Sequence, residues 1–505
     1  MQKSTLNLIA VGLMSVMVNL DVTIVNVALP TIGGVFHLSL SMMQWIINIY
    51  LMMTAMFFVL AGKIADQLGH RRVYLLGLIF FFVGSVLAGL AVFDWMLILG
   101  RLLQGLGVAF SLTQAFILAL RCFPPDRKGH VIGLLATAGG VAQAVGPTLG
   151  GFILHFLSWR WIFFLNLPLT GLSFLLTYAF CAKDTPHESA LQVSLRNIAF
   201  FGMGIFFLML SLNQLSSWGV ESFYFMAAMA FGLCLLSGFV YMECRATRPL
   251  IGWLILANSD FMAVCIMRLL YMFGWGVVVF TLPLFLQNLL GYSEVKIGLF
   301  LFSMTGVFAC LTPFTGRWVD RVGVNLPIIL SLMIGFFGLC LLIVFASHPH
   351  LIFLFAGLFL YGVCAGINIP AGPAAALKSI PQNNHGTGLG FFYTLAFMGA
   401  AAGIALGGGL LNILAKNHLA KLLAFSQRIS PISLDHLSAF ANGSRPISQL
   451  SLSGVTSNLQ QEIGASFVYA YQYVLGFACV LILVAIILMV RIALKKEVKE
   501  AFVCQ

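Results

Sequence analysis

Fourteen apolar runs, each about 18 to 27 residues long, follow one another from Leu6 to Val490 with polar interruptions between them. A run of that length crosses a hydrocarbon layer of ~30 Å as a helix. In that layer no water serves the backbone, so each amide and carbonyl must bond within its own segment, and helices are the solution open to long apolar runs. Composition agrees: 61% of the 505 residues are hydrophobic and 8% are charged, against about 25% charged in a soluble domain. The chain is therefore predicted to be an all-α polytopic membrane protein. Its first run, Leu6 to Leu29, is too long for a signal-peptide core, and Ala28-Leu29-Pro30 is a poor cleavage site.

The net charge of +11 would suit nucleic acid, but its placement points to a lipid bilayer. Lys3, Lys63, Arg71, Arg72, Arg121, Arg127, Lys128, Lys183, Arg196, Arg245, Arg248, Arg317, Arg321, Lys378, Arg491, Lys495, Lys496 and Lys499 fall in alternate loops, on the side of the termini. The other side holds Arg160, Lys296 and four residues of one long loop, Lys416, Lys421, Arg428 and Arg445. By the positive-inside rule both termini are cytoplasmic, in a cell (inner) membrane, and no nucleic-acid partner is expected. Ten cysteines form no Cys-x-x-Cys pair and none lies in the long loop, so neither a disulfide framework nor a zinc site is implied. His187-Glu188 does not begin a zinc-protease motif, because Leu191 stands where the second histidine would be. No Gly-x-x-x-x-Gly-Lys-Ser/Thr loop occurs, so an ion gradient rather than ATP must drive any pumping, and no catalytic residue, metal ligand or cofactor is expected.

Charges inside the apolar runs are the functional candidates. A carboxylate at Asp21 costs at least ~2.5 kcal/mol on insertion scales and marks a functional site by default. Arg101, in the fourth run, lies ~9 Å from the outer end of its helix and Asp21 ~12 Å from the outer end of its own. The matched depth predicts an ion pair or a shared water, directly or through Gln104; the alternative is that Arg101 snorkels outward. For Arg268, in the ninth run, snorkelling and a functional role stay equally open. Asn19, Gln44, Asn48, Gln104, Gln114, Gln143 and Asn368 are the polar candidates for a substrate cavity near the midplane.

Gly62-Lys-Ile-Ala-Asp66-Gln-Leu-Gly69-His-Arg71-Arg72 links the second and third runs, with glycines for a tight turn and Asp66 able to meet helix amides. A relaxed copy, Gly316-Arg-Trp-Val-Asp320-Arg-Val-Gly323, recurs between the tenth and eleventh runs. This repeat predicts parallel halves, with runs seven and eight, Ile198 to Leu215 and Phe223 to Met242, inserted between them. The expected divisions are an N-terminal six-helix bundle at 1–182, a two-helix insertion with linkers at 183–258, and a C-terminal bundle at 259–505 whose segment 415–466 is polar and external. Run five carries Gly133, Gly139, Gly140 and Gly146-Pro147-Thr-Leu-Gly150-Gly151, small residues for close helix approach and a Gly-Pro step that permits a bend. In run twelve, Asn368, Pro370, Gly372 and Pro373 predict a broken helix end lining a cavity.

Several of these stretches are similar to one family. Leu20, Asp21, Thr23, Asn26, Val27, Ala28, Leu29 and Pro30, the Gly62–Arg72 loop, Arg101 with Gln104 and Gly105, the Gly146–Gly151 motif, and Trp159 to Pro168 resemble the fourteen-span drug/proton antiporter branch of the major facilitator superfamily. Ala142 stands where the fifth-span pattern usually has glycine. The resemblance implies a major facilitator fold with 14 transmembrane helices as 6+2+6. It also implies proton-coupled multidrug efflux, with Asp21 and Arg101 at the proton site and the Gly62–Arg72 loop latching the outward-facing state. The Gly146, Pro147, Gly150 and Gly151 motif typifies antiporters, and the external segment is the place for a periplasmic adaptor protein. A dedicated exporter of one metabolite or siderophore would leave the same signature; an importing symporter and a non-pumping membrane receptor are more distant readings. With two intramembrane arginines beside one carboxylate, neutral, zwitterionic or anionic substrates stand level with cations.

Overall fold

The apolar runs become helices that cross one another in two bundles. The computed structural model describes every residue except 1, 37, 39, 124–127, 183, 185–193, 247–248, 382–383, 426–456 and 504–505. In chain order the helices are α1 (Gln2–Phe36), α2 (Leu40–Leu68), α3 (His70–Gly89), α4 (Asp94–Arg121), α5 (Lys128–Phe156), a single turn α6 (Trp161–Phe164), α7 (Asn166–Phe180) and α8 (Leu195–Asn213). The turn α9 (Leu215–Trp218), α10 (Phe223–Arg245) and the turn α11 (Trp253–Leu256) lead into α12 (Ser259–Leu284), which ends in a π-turn at Phe285–Leu289. The remainder is α13 (Glu294–Val322), α14 (Asn325–Ser347), α15 (Leu351–Lys378), α16 (His385–Phe425) and α17 (Ser457–Val503). Among the described residues 13 helices are long and apolar enough to span a membrane, and α5, bent by 44° between Gly146 and Thr148, makes the fourteenth. Pro147 at that step removes one rung of the hydrogen-bond ladder, which is the physical cause of such a bend.

In the first half α3 packs on α4, α1 on α5 and α7, and α2 on α4; in the second, α12 packs on α16 and α17, α14 on α15 and α17, and α13 on α15. The halves meet along two seams, α5 with α13 and α2 with α16. Between helices surrounded by lipid there is no hydrophobic drive, so backbone approach at small residues supplies the contact. A Cβ at Gly390 would overlap the Phe58 carbonyl, and one at Gly133 would press on the Thr312 carbonyl, so glycines set both seams. Within the second half Gly399 and Gly403 sit against the carbonyls of Leu269 and Phe273 in the same way. The inserted helices α8 and α10 pack on each other, and α8 also touches α2 and α16, so the pair stands beside one seam.

Two segments differ from the sequence expectation. The helix α15 runs unbroken through Pro370 and Pro373. Nearly every residue from Cys364 to Ala376 is buried against neighbouring helices, and a bundle interior gives freed carbonyls no partner that would reward unwinding. Segment 415–466 is not wholly irregular either: α16 continues to Phe425 and α17 begins at Ser457, so both described ends are helical. The stretch Ala415-Lys-Asn-His-Leu-Ala-Lys-Leu-Leu contains strong helix formers and no Gly or Pro, which lets the helix carry on past the apolar run. The overshooting ends pair with each other. The His418 ring stacks on Tyr469 with centroids 4.2 Å apart, and Leu419 and Ile463 are fully buried.

Glu243, 1% exposed on α10, ties that helix to α8 and to the linker that leads toward the second half. Its carboxylate accepts from Asn197 Nδ2 at 2.9 Å, from the Ile251 amide at 2.6 Å and from the Gly252 amide at 3.1 Å. Glu243→Ala leaves these donors buried and unpaired, at about 1–3 kcal/mol each before relaxation. A clearly lowered melting temperature of the purified protein is the expected result; an unchanged one would show that the linker holds without this cap.

Candidate functional site

Five helices of the first half converge on Asp21. The α1 carboxylate, 2% exposed, meets Arg101 of α4, 1% exposed, with Arg101 Nη1 donating to Asp21 Oδ2 at 2.5 Å. Arg101 Nη1 also donates to Gln104 Oε1 at 2.8 Å, and Arg101 Nε to the Ile46 carbonyl of α2 at 3.2 Å. The guanidinium lies over the Tyr50 ring, 4.3 Å from its centroid. Asp21 Oδ1 accepts from Asn166 Nδ2 of α7 at 3.1 Å and more weakly from Gln104 Nε2 at 3.4 Å. Gln104 Nε2 in turn donates to Ser85 Oγ of α3 at 2.8 Å. A buried ion pair holds only where its remaining lone pairs and protons are satisfied, and here neutral groups from four neighbouring helices do that. Of these residues Asp21, Arg101 and Gln104 were sequence candidates. Tyr50, Ser85, Asn166 and the Ile46 carbonyl were not, since none stands out from its run by type.

A second polar cluster closes the halves on the face that carries both termini. Asp66, at the end of α2, accepts from the amides of Gly386 at 3.1 Å and Thr387 at 2.9 Å and from Thr387 Oγ1 at 2.7 Å. These amides open α16, so a carboxylate of the first half caps a helix N-terminus of the second. Contact this close needs small residues, and a Cβ at Gly62 would overlap the Gly386 carbonyl. Behind the latch Gly69 turns the chain at φ 104°, and the space where its side chain would lie is filled by the carboxylate of Asp184. Asp184 accepts from the amides of Arg71 and Arg72 at 3.3 and 3.1 Å, capping α3. Arg71 reaches the last carbonyls of α7, Tyr178 at 2.8 Å. His70 Nδ1 meets Gln114 Oε1 of α4 at 2.7 Å, and its Nε2 lies 3.7 Å from Asp66. In the repeat, Gly323 turns the chain at φ 87° as Gly69 does, with Gly316 buried and Asp320 exposed on α13.

Among the polar residues read as a cavity lining, the described side chains meet different neighbours. Asn19 donates back to the Ser15 carbonyl and lies against Gly139. Asn48 bonds Asn213 of α8 at 2.5 Å, facing the insertion. Gln104 belongs to the Asp21 cluster, Gln114 to His70, and Asn368 to Arg268, whose Nη1 donates to it at 3.1 Å. Gln143 is half-buried on α5. The side chains of Gln44 and Pro147 lie outside the described residues. Nothing in residue type separates an amide that faces a cavity from one that ties two helices, which is why the lining could not be read. On α5, Gly146 sits against Thr23 and Gly150 against Ile24 of α1, while nothing crowds Gly151. Arg268 does not snorkel; it is 2% exposed.

The Major Facilitator Superfamily profile matches residues 11–258 and 264–415. Over 411 residues the chain is 29% identical to the multidrug resistance protein Stp of Mycobacterium tuberculosis, covering 80% of this chain and 75% of that one. It is 31% identical over 331 residues to the tetracenomycin C resistance and export protein of Streptomyces glaucescens, covering 65% and 61%. The human organic anion transporter MFSD10 superposes with a TM-score of 0.64 over 96% of this chain and 99% of that one, at 13% identity, a likeness of fold alone. With a profile matched over most of its length and two helical bundles joined at two seams, the chain belongs to the Major Facilitator Superfamily and is a multi-pass membrane transporter.

Proposed function

We propose that this transporter is a secondary active exporter that exchanges protons for lipophilic small molecules, a drug efflux pump like the relatives named for resistance and export. The observation that carries the reading is the Asp21–Arg101 pair, an ionisable carboxylate buried among four other helices of one half. An ionisable carboxylate at membrane depth marks a functional site by default, and exchange of its proton is the use that fits an exporter. With both termini cytoplasmic in the inner membrane, the Asp66 latch closes the cytoplasmic entrance, and the arrangement described is the outward-facing one. Proton binding at Asp21 would free Arg101 and Asn166, loosen α1 against α4 and α7, and bias the halves toward the other state. The overshooting ends of α16 and α17 would then stand in the periplasm, where an adaptor protein could meet them.

The test uses everted vesicles from cells making the full chain, energised so that the lumen is acidic. Accumulation of at least one of three dyes, neutral Nile red, cationic pyronin Y or anionic fluorescein, is expected, and it should collapse with nigericin plus valinomycin. Accumulation that outlasts the collapsed gradient, or none of the three dyes moved, would overturn the reading. The relative named for tetracenomycin C keeps dedicated export of one compound as a second reading; transport of a single dye out of the three would favour it.

A further inference from the structure

Two arginines are buried inside the bundles among the described residues, and only one of them is neutralised. Arg101 has a carboxylate, an amide oxygen and a carbonyl. Arg268 of α12 has one neutral acceptor, Asn368 Oδ1 of α15, and its buried Nε has none. No ion pair joins it to any described carboxylate. The rings of Tyr271 and Phe392 flank its guanidinium at 5.6 and 5.5 Å, which steadies a cation but accepts no in-plane N–H. The fully buried hydroxyls of Tyr271 and Tyr361 also lack an acceptor. The surroundings are aromatic, with Tyr361 stacked between Tyr271 and Trp275 at 6.3 and 6.0 Å. Here donors outnumber acceptors and a positive charge has no counter-charge, the reverse of the Asp21 cluster. A buried cation without a partner is strongly unfavourable, so something in the cycle must supply one.

We infer that Arg268, with Asn368 and the hydroxyls of Tyr271 and Tyr361, receives the anionic group of an organic substrate, a carboxylate or phenolate on an aromatic body. This rests on the export reading and names its substrate class. Phe392 over the guanidinium is followed by Tyr393, whose ring lies against Phe58 and Phe116 of the first half. The cluster therefore stands just behind the α2–α16 seam that the Asp66 latch holds shut, and parting the halves there uncovers it on the side of the termini.

The experiment measures binding to the full chain in nanodiscs, where no gradient is needed. Fluorescein and pyronin Y share a fused ring system and carry opposite charge. Arg268→Gln is expected to weaken fluorescein binding tenfold or more and to leave pyronin Y binding equal or tighter, and Arg268→Lys should recover most of the loss. Equal losses for both dyes, fluorescein binding unchanged in Arg268→Gln, or no fluorescein binding by the wild type would overturn the site. Chloride exchanged for gluconate should compete with fluorescein in the wild type only. If chloride raises the melting temperature of the wild type but not of Arg268→Gln, while fluorescein binds both alike, the site serves an inorganic anion and the substrate assignment falls. Fluorescein bound in nanodiscs while the gradient moves none of the three dyes would overturn export and leave the site standing.

Discussion

Asp21→Asn is expected to give a folded protein in which gradient-driven accumulation falls by a hundredfold or more, while substrate still equilibrates down its own gradient. The asparagine is isosteric and can still accept from Arg101, so the packing of α1 against α4 and α7 survives. What it cannot do is bind and release a proton. One proton crossing ~180 mV at ~2.3 kcal/mol per 100 mV supplies about 4 kcal/mol, enough for about a thousandfold gradient of a neutral solute. Losing that coupling removes the whole concentrating power, which sets the size of the effect. The variant also leaves Arg101 with Gln104, the Ile46 carbonyl and the Tyr50 ring, and breaking a buried pair costs about 3–5 kcal/mol before such compensation. A lower melting temperature should accompany the uncoupling, and Asp21→Asn with Arg101→Gln should recover part of the stability without recovering pumping. Proton-driven accumulation persisting in everted vesicles of Asp21→Asn would refute the assignment.

Gly62→Leu is expected to stop transport outright without unfolding either bundle. The side chain has nowhere to go, since even its first carbon would overlap the backbone of Gly386, and that backbone belongs to the opposite half. The halves must therefore stay apart on the latch face, and the three hydrogen bonds from Gly386 and Thr387 to Asp66 are lost together. Asp66→Ala removes the same bonds without the steric wedge, so it should slow transport less, by tens-fold rather than completely. A cysteine pair at Ala55 and Thr394, which meet across the α2–α16 seam through the Thr394 Oγ1 bond to the Ala55 carbonyl at 2.9 Å, reads the position: crosslinking should be efficient in the parent and vanish in Gly62→Leu. Retained crosslinking, or retained transport, would show that the seam can accommodate the side chain.

Much of the fold was legible because hydrocarbon is an unforgiving solvent: a run such as Asn325–Ser347 can be little else than a spanning helix. The repeat of Gly62–Gly69 at Gly316–Gly323 carried the two-half plan, and the shared positive φ of Gly69 and Gly323 explains why those glycines recur. The matched depths of Asp21 and Arg101 were readable because charge is rare enough in these runs to leave few partners. The same logic fails for neutral polar groups. Asn48 ties α2 to α8 and Asn166 completes the Asp21 cluster, yet nothing in either residue announces which neighbour it will meet. Asp184 was hidden for another reason: it lies in a linker, and only the folded chain brings it back to the start of α3. The prolines of α15 misled because their cost depends on surroundings that a one-dimensional reading does not contain.

The position of α8 has a bearing on how the bilayer itself communicates with the protein. The α2–α16 seam has α8 leaning on both of its helices, with α10 packed behind, whereas no described helix outside the two bundles stands at the α5–α13 seam. Acyl chains thus border one lateral crack directly and are fended off from the other. On the proposed export reading, a hydrophobic molecule dissolved in the leaflet would find a single side door when the halves rock, and the opposite crack would move under a two-helix awning that must slide or travel with it. The two inserted crossings, α8 and α10, therefore give the transporter a front and a back within the plane of the membrane.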